Sequence, residues 1–516
     1  MPLQKKDSKI MKFNSKASHP QVTKNHEGAL AYQLDARMAL YTLAVTSSLE
    51  KTFYEGQTDR MERLQALIGK VAAEDPAFVA KLAIYTREQM YLRSVPLVLV
   101  VELARVHQGD DLVRRTLSRV IRRADEITEL LAYYQQANQR KGRKRLHRLS
   151  KQVQKGIADA FNRFDAYQFA KYDRASAVRL RDALFLSHPV AKDAAQQAIF
   201  DRIASGTLEA PQTWEVALSR AGQAETQDEA EGLAHKRAAW EAMVRGGKMG
   251  YMAQLRNLRN LLESQVADDV LDRVAQTMSD PVEVARSQQL PFRFLSAYRE
   301  LEGISHPKTG LLLEALEQAM AASAANIQGF SPETRVMIAT DVSGSMATAL
   351  SARSRVQYMD VGLVLSVLLR QVCEQVVTGV FGTTYETVQM APRGILASVE
   401  KLRRINVGYA TNGYLVLEHL IQRKLVMDKV MIFTDMQLWN SHQGQESLAK
   451  LWPVYKQLAP AAKLYVFDLA GYGQAPIDIR QGDVHLLAGW SDKIFDLLAQ
   501  IERGGNALQL IDAIEI

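Results

Sequence analysis

The chain has 516 residues, 47% hydrophobic and 23% charged, which excludes intrinsic disorder as its main state and leaves room for more than one core. A single cysteine, Cys373, excludes a disulfide framework and any multi-cysteine zinc site within one chain. The net charge of +7 is unevenly placed: residues 1–330 carry 47 Lys+Arg and 39 Asp+Glu, residues 331–516 carry 17 and 18, and residues 114–155 alone hold 13 basic side chains against three acids, Asp125, Glu126 and Glu129. Such a patch is the footprint of a polyanion site, and its arginines (Arg114, Arg115, Arg119, Arg122, Arg123, Arg140, Arg143, Arg145, Arg148) suit phosphate because a guanidinium forks onto two oxygens. A solvated helix face is the alternative.

In chain order, residues 1–25 are polar and lysine-rich without periodicity, which predicts a disordered basic tail. They hold no apolar stretch of the kind a secretory signal needs, and no run anywhere approaches the ~20 residues that span a bilayer, so a cytoplasmic protein without a membrane partner is expected. From Ala29 to Ile327 apolar residues recur at three and four, as in Met61-Leu64-Leu67-Ile68-Val71. This predicts helices over Pro76–Met90, Leu97–His107, Gln152–Arg163, Ala191–Ser205 and Gly310–Ala325, no strands, and a helical array over residues 26–330.

Past Gly329-Phe330-Ser331-Pro332 the pattern changes. Strands are predicted at Arg335–Thr340, Val376–Phe381, Tyr385–Met390 (an edge), Lys429–Phe433 and Lys463–Phe467. Helices are predicted at Gln357–Val372, Ile395–Arg404, Tyr414–Arg423, Glu446–Leu458 and Lys493–Arg503. The fold class is therefore α followed by α/β, the second part (331–516) a doubly wound, mostly parallel sheet whose ligands sit beyond the carboxyl ends of its strands.

Asp341-Val342-Ser343-Gly344-Ser345 begins where the first of these strands ends, and Asp341, Ser343 and Ser345 offer three oxygens from one loop. Thr411, in Gly408-Tyr409-Ala410-Thr411-Asn412-Gly413, and Asp435, ending Val430–Asp435, bring two more to the same sheet edge. Hard oxygen donors with few charges suit a divalent cation, Mg²⁺ with Mn²⁺ as the alternative. Helix capping would explain Asp341 and Ser343 but neither Ser345 nor Asp435. An aspartyl phosphatase would need a second acid where Ser343 stands, and the loop has no His or Glu as general base, so the expectation is ligation and no enzyme activity. The pattern resembles the metal-ion-dependent adhesion site of a von Willebrand A domain, which implies an ion with a position open to an acidic group of a protein partner.

Asn25-His26-Glu27-Gly28-Ala29-Leu30-Ala31-Tyr32-Gln33-Leu34-Asp35, Thr52-Phe53-Tyr54-Glu55, Lys155–Asn162, Leu186-Ser187-His188-Pro189 and Lys248-Met249-Gly250-Tyr251-Met252-Ala253-Gln254-Leu255-Arg256-Asn257-Leu258-Arg259-Asn260 resemble successive motifs of the TROVE module of the Ro autoantigen family. The order, TROVE then von Willebrand A domain, is also similar, and the likeness extends over about residues 25–516. It implies a monomeric ring of HEAT-like helical repeats around a basic hole. Such a ring binds Y-like RNA on its outside and the single-stranded 3′ ends of misfolded noncoding RNA through the hole, in RNA quality control or as an adaptor tethered by RNA to an exoribonuclease. By motif it carries over Lys171, Arg174 and His188 as RNA contacts. Around Gln135–Lys151 the chain is longer and more basic than the family pattern.

Read from chemistry alone, Arg140, Lys141, Arg143, Lys144 and Arg148 sit in or beside a loop and suit backbone phosphates, which position without specifying. Lys151 and Lys155, four apart, extend that stripe along one helix face. Leu255, Leu258, Leu261 and Leu262 face a core at helical spacing. Lys248, Arg256 and Arg259 either line the hole or bridge helices, and Tyr133, Tyr134, Phe161 and Phe164 are core residues rather than stacking platforms. A metal-dependent protein-interaction scaffold is the alternative function.

Overall fold

The computed structural model describes residues 21–516 apart from 48, 50, 139–148, 174–175, 210–228, 288, 290, 324–329, 351–353, 390–393, 440–445 and 490–493. Two short strands open it, β1 (Val22–Lys24) and β2 (Leu30–Gln33). They correct the expectation of a tail through residue 25 and of no strands before 327. Each is too short to declare itself by alternation; their order comes from pairing, Val22 against Tyr32 within the hairpin and Tyr32 against Ala475 far along the chain.

Ten helices follow: α1 (Ala36–Thr46), α2 (Gln57–Glu74), α3 (Pro76–Glu88), α4 (Ser94–Val106), α5 (Leu112–Val120), α6 (Ala124–Ala137), α7 (Lys151–Phe161), α8 (Ala166–Tyr172), α9 (Leu180–Ser187) and α10 (Ala194–Ser205). Among the described residues six more precede the sheet: α11 (Glu229–Arg245), α12 (Tyr251–Glu263), α13 (Asp268–Ser279), α14 (Pro281–Ser287), α15 (Pro291–Leu301) and α16 (Thr309–Ser323). Local chemistry sets their starts. Asp35 caps α1 by accepting from the Met38 N–H, and Asp75 caps α3 by accepting from Phe78, with Pro76 in the first turn where its missing N–H costs nothing. Helices pack on neighbours one and two places along, α2 on α3 and α4, α3 on α4 and α5, α5 on α7, which is solenoid stacking.

The C-terminal part is a six-stranded sheet in the order β5-β4-β3-β6-β7-β9: β3 (Val336–Asp341), β4 (Val376–Phe381), β5 (Tyr385–Thr387), β6 (Lys429–Thr434), β7 (Lys463–Asp468) and β9 (Val484–Ala488), with β8 (Gln474–Ala475) pairing to β2 instead. Only β5 runs antiparallel to its neighbour. Its helices are α17 (Tyr358–Leu369), α18 (Ile395–Arg403), α19 (Tyr414–Gln422), α20 (Leu448–Leu458), α21 (Ile494–Glu502) and α22 (Ala507–Asp512). Alternate residues of β3 enter two cores: Val336 and Ile338 join Val361 and Leu365 of α17, while Met337 and Ala339 join Leu417 of α19 and Trp452 of α20. Gly362 lets α17 approach closely, since a Cβ there would lie 2.7 Å from both Thr340 Cγ2 and Phe433 Cβ. Strand β9 and helix α22 escaped the sequence reading.

The helical module begins and ends on this same domain. At one end α1 packs on β9 and α22, and α3 on α22; at the other α15 packs on α17 and α16 on α18. The second junction is pinned by Arg299 of α15, which forks onto Asp360 of α17 (2.7 and 2.7 Å) and reaches Glu400 of α18 (2.6 Å).

Candidate metal centre and candidate nucleic-acid interface

Strand β3 has β4 on one side and β6 on the other, so the loops after β3 and β6 meet at the carboxyl edge of the sheet. There Asp341 (0% exposed) and Asp435 (1%) are buried together with Ser343, Ser345 and Thr411. Asp341 Oδ1 accepts from the Ser343 N–H (2.9 Å) and its Oδ2 from the Thr434 hydroxyl (2.9 Å). The Ser343 and Ser345 hydroxyls stand 3.4 Å apart. Thr411 donates to the Gln437 carbonyl (2.8 Å), which ties its loop to the one after β6. Gly408 shapes that threonine loop: its φ is +79°, and a Cβ would lie 2.3 Å from Thr383 Oγ1.

Asp435 Oδ1 accepts from the Gln437 N–H (3.0 Å), but its buried Oδ2 has no hydrogen-bond partner. The next residue, Met436, takes a left-handed φ of 69°, a strained conformation for a non-glycine residue. Burial, and then the charge of Asp435, pushes the proton affinity of Asp341 up; burial does the same to Asp435, with Ser345 opposing it and Glu27 adding to it. A third strand-end carboxylate, Asp468 on β7, is pushed up to about 6 by burial, against N–H bonds from Gly471 and Ala470. Among the described residues no basic side chain forms an ion pair with Asp341, Asp435 or Asp468. Nor do three or more His, Cys, Asp or Glu gather for a metal; the donors here are two carboxylates and three hydroxyls. Buried carboxylates without a counter-charge, one oxygen orphaned, fit a hard divalent cation. The sequence reading missed Asp468, although it ends KLYVFD as Asp435 ends VMIFTD.

The basic patch divides in the structure. Arg114 pairs with Asp159 (2.6 Å), Arg115 with Asp111 (2.9 Å), Arg119 and Arg122 with Glu88 (2.6 and 2.8 Å) and Arg123 with Asp125 (2.9 Å). Arg115 and Arg119 also donate to the backbone carbonyls of Ile516 and Glu515. Arg114, Arg119 and Arg122 thereby tie neighbouring helices, while Arg115 and Arg123 pair within their own helix turns, and all five side chains remain a third to a half exposed. Arg140, Lys141, Arg143, Lys144, Arg148 and Arg174 lie outside the described residues.

A second, smaller cationic face lies outside these ion pairs. Lys151 and Lys155 are exposed on α7. Between them Gln154 donates to the Leu186 carbonyl (3.4 Å), which ties this face to the turn where exposed His188, at φ 48°, ends α9. Lys171 stands elsewhere: its neighbour Tyr172 takes the Arg123 guanidinium at 4.5 Å, beside the first turn of α6. Tyr134, whose hydroxyl accepts from Ser150 just ahead of α7, is eleven residues on, about 16 Å along that helix. Lys248 and Arg256 are exposed, whereas Arg259 pairs with Glu263 (2.7 Å) and Glu300 (3.3 Å). Arg293, which the sequence reading missed, is near enough to Arg256 for the like charge, added to burial, to lower its proton affinity. Leu255, Leu258, Leu261 and Leu262 are buried, as are Tyr134, Phe161 and Phe164.

A helical module closed onto an α/β domain with an acidic pocket at its sheet edge defines a recognisable class. The TROVE domain family matches residues 23–231 and 206–320, more than half of the chain, and the chain belongs to that family. It is 24% identical over 523 residues to the RNA-binding protein RO60 of Deinococcus radiodurans, across 93% of this chain and 95% of that one. It is 24% identical over 357 residues to telomerase protein component 1 of Rattus norvegicus, across 55% of this chain, which spans only 13% of that relative's length. The crystal structure of the Deinococcus radiodurans Ro (RSR) protein has a like fold, with a TM-score of 0.61 and 19% identity over 91% of this chain and 100% of that one.

Proposed function

We propose that this chain is an RNA-binding ring protein, a scaffold for noncoding RNA without catalytic turnover. The observation that carries the reading is end-to-end likeness to a relative named as RNA-binding, 93% of this chain against 95% of that one. The exposed Lys151, Lys155 and His188 face supports it, with Lys248 and the Arg256–Arg293 neighbourhood as further cationic surface. The finer reading is a monomeric ring of HEAT-like repeats that takes Y-like RNA and the single-stranded ends of misfolded RNA, in quality control or tethered to an exoribonuclease. Filter binding of such RNAs over a salt series tests it. Each phosphate neutralised on a single strand contributes about −0.7 to the log–log slope, so engagement of about six gives roughly −4, and a slope near zero refutes it.

A second reading concerns the sheet edge. The orphaned Asp435 Oδ2 beside Asp341 supports a von Willebrand A domain whose adhesion-type site holds Mg²⁺ or Mn²⁺ on Asp341, Ser343, Ser345, Thr411 and Asp435. Bound there, the ion supplies a Lewis-acidic position for a carboxylate. The two functions occupy separate parts of the molecule.

A further inference from the structure

The tip of the β1–β2 hairpin does not hang free; it is fastened over the acidic pocket. Asn25 Nδ2 donates to the Leu438 carbonyl (2.7 Å), and the His26 N–H donates to Gln437 Oε1 (2.7 Å), so two consecutive residues grip the loop that follows Asp435. Asn25 also organises the tip itself: its Oδ1 accepts from the Ala29 N–H (2.9 Å), and Gly28 turns the chain at φ +82°. The His26 ring stacks on Tyr54 (5.1 Å, 5° between planes) and meets the edge of Tyr472 (5.2 Å), while Tyr54 and Tyr472 lie 5.8 Å apart. Three aromatic rings, from the hairpin, the segment before α2 and the loop after β7, thus roof one place.

Under that roof Tyr54 donates its hydroxyl proton to Glu27 Oε1. The same hydroxyl is close enough to Ser345 to interact with it, and the Glu27 carboxylate is close enough to Asp435 for mutual repulsion. An exposed acid has been brought, by a specific tyrosine, toward the buried Asp435, which has no ion-pair partner among the described residues. Without a counter-ion this approach of like charges opposes folding, yet five residues (Asn25, His26, Tyr54, Gln437 and Tyr472) hold the hairpin tip in place.

We propose that Glu27 is the site's own acidic ligand. Held by Tyr54, it binds through a retained water to a divalent ion seated on Asp341, Ser343, Ser345, Thr411 and Asp435, so that the ion clasps the first strands of the chain to its last domain. Mg²⁺ keeps several waters when protein-bound, and outer partners of this kind are worth roughly 10–100-fold in metal affinity. The inference rests on the cation reading of the sheet edge, and the experiment separates the two.

Full-length protein is titrated with Mn²⁺ and followed by water-proton relaxation, and hydrogen–deuterium exchange of residues 22–33 and 52–55 is compared in EDTA and in Mg²⁺. In the wild type Mg²⁺ slows exchange in both segments. Glu27→Gln weakens Mn²⁺ binding by at least about tenfold and removes the protection, and Tyr54→Phe, which keeps the stacked ring, does so in part. Loss of Mn²⁺ binding in Asp341→Ala, with wild-type affinity and protection kept in Glu27→Gln, overturns the clasp and leaves the cation site standing. Mn²⁺ affinity unchanged in Asp341→Ala overturns both. Exchange in wild-type protein that ignores Mg²⁺ overturns the clasp without any variant.

Discussion

Asp341 and Asp435 are both buried, their charges repel, and one oxygen between them has no partner. Two like charges in a poorly solvated place destabilise a fold unless something neutralises them. The sign of a substitution should therefore depend on the metal. At pH 8 in EDTA, Asp341→Asn is expected to melt above the wild type, because it removes one of the charges; in Mg²⁺ the order reverses. On the proposed reading, in which RNA binds the helical module, RNA affinity should not change in either case. Melting curves under both conditions with a filter-binding control check this, and a parallel fall in RNA affinity would show that the sites are not separate. At this scale the sequence was most legible. Asp341, Ser343 and Ser345 come from one loop, and Asp435 sits where an apolar strand stops, so local spacing sufficed. Glu27 and Tyr54 approach the same pocket from some 300 to 400 residues away, and no local pattern encodes that.

Helix and strand limits followed from periodicity where elements were long. Val376–Phe381 is a strand where its apolar, β-branched run predicts one, and the helices from Pro76 and Ile395 begin where their caps and breaks put them. The short strands β1, β2 and β8 owe their existence to each other rather than to their own residues, so propensity could not find them. The arginines of α5 illustrate the same limit: their partners Glu88, Asp111 and Asp159 all lie outside the window that made the run look uncompensated. Two predictions belong here. Arg299 is 8% exposed and its partners Asp360 and Glu400 are 0% and 9%, so Arg299→Ala strands two buried carboxylates. It should cost about 3–5 kcal/mol in denaturant unfolding, and Arg299→Lys, a point charge without the fork, should recover only part. On β9, burial and then Lys463 hold the His485 imidazole down at about 4. Its unfolded value is about 6.5, so below that pH the unfolded chain takes up a proton that the folded chain refuses. Stability should fall progressively between pH 6.5 and 4 and then level off in this respect, and His485→Gln should flatten that part of the profile.

For the whole molecule, the useful quantity is how much of the net charge remains available to a partner. With five arginines of the 114–155 run engaged in ion pairs, Lys151 and Lys155 are its described free cations on an open face. The double substitution Lys151→Ala, Lys155→Ala should weaken RNA binding nearly uniformly across sequences and reduce the salt slope by about 1.4, two phosphates at about 0.7 each. Adding His188→Ser should lower affinity further with little effect on the slope, because the ring contributes by stacking on a base or hydrogen-bonding its edge.

A stack of helix pairs ordinarily exposes an apolar face at each end and needs a dedicated polar repeat to seal it. Here neither α1–α3 nor α15–α16 ends in such a repeat; β9, α22, α17 and α18 cover them. The α/β domain is thus the lid for both mouths of the stack at once. A cut between Ser323 and Val336 would uncover two sticky surfaces per molecule instead of one, and the two ends of an opened helical arc can join head to tail between molecules. The severed helical half should therefore polymerise rather than merely unfold, and adding the other half in trans should dissolve the polymer.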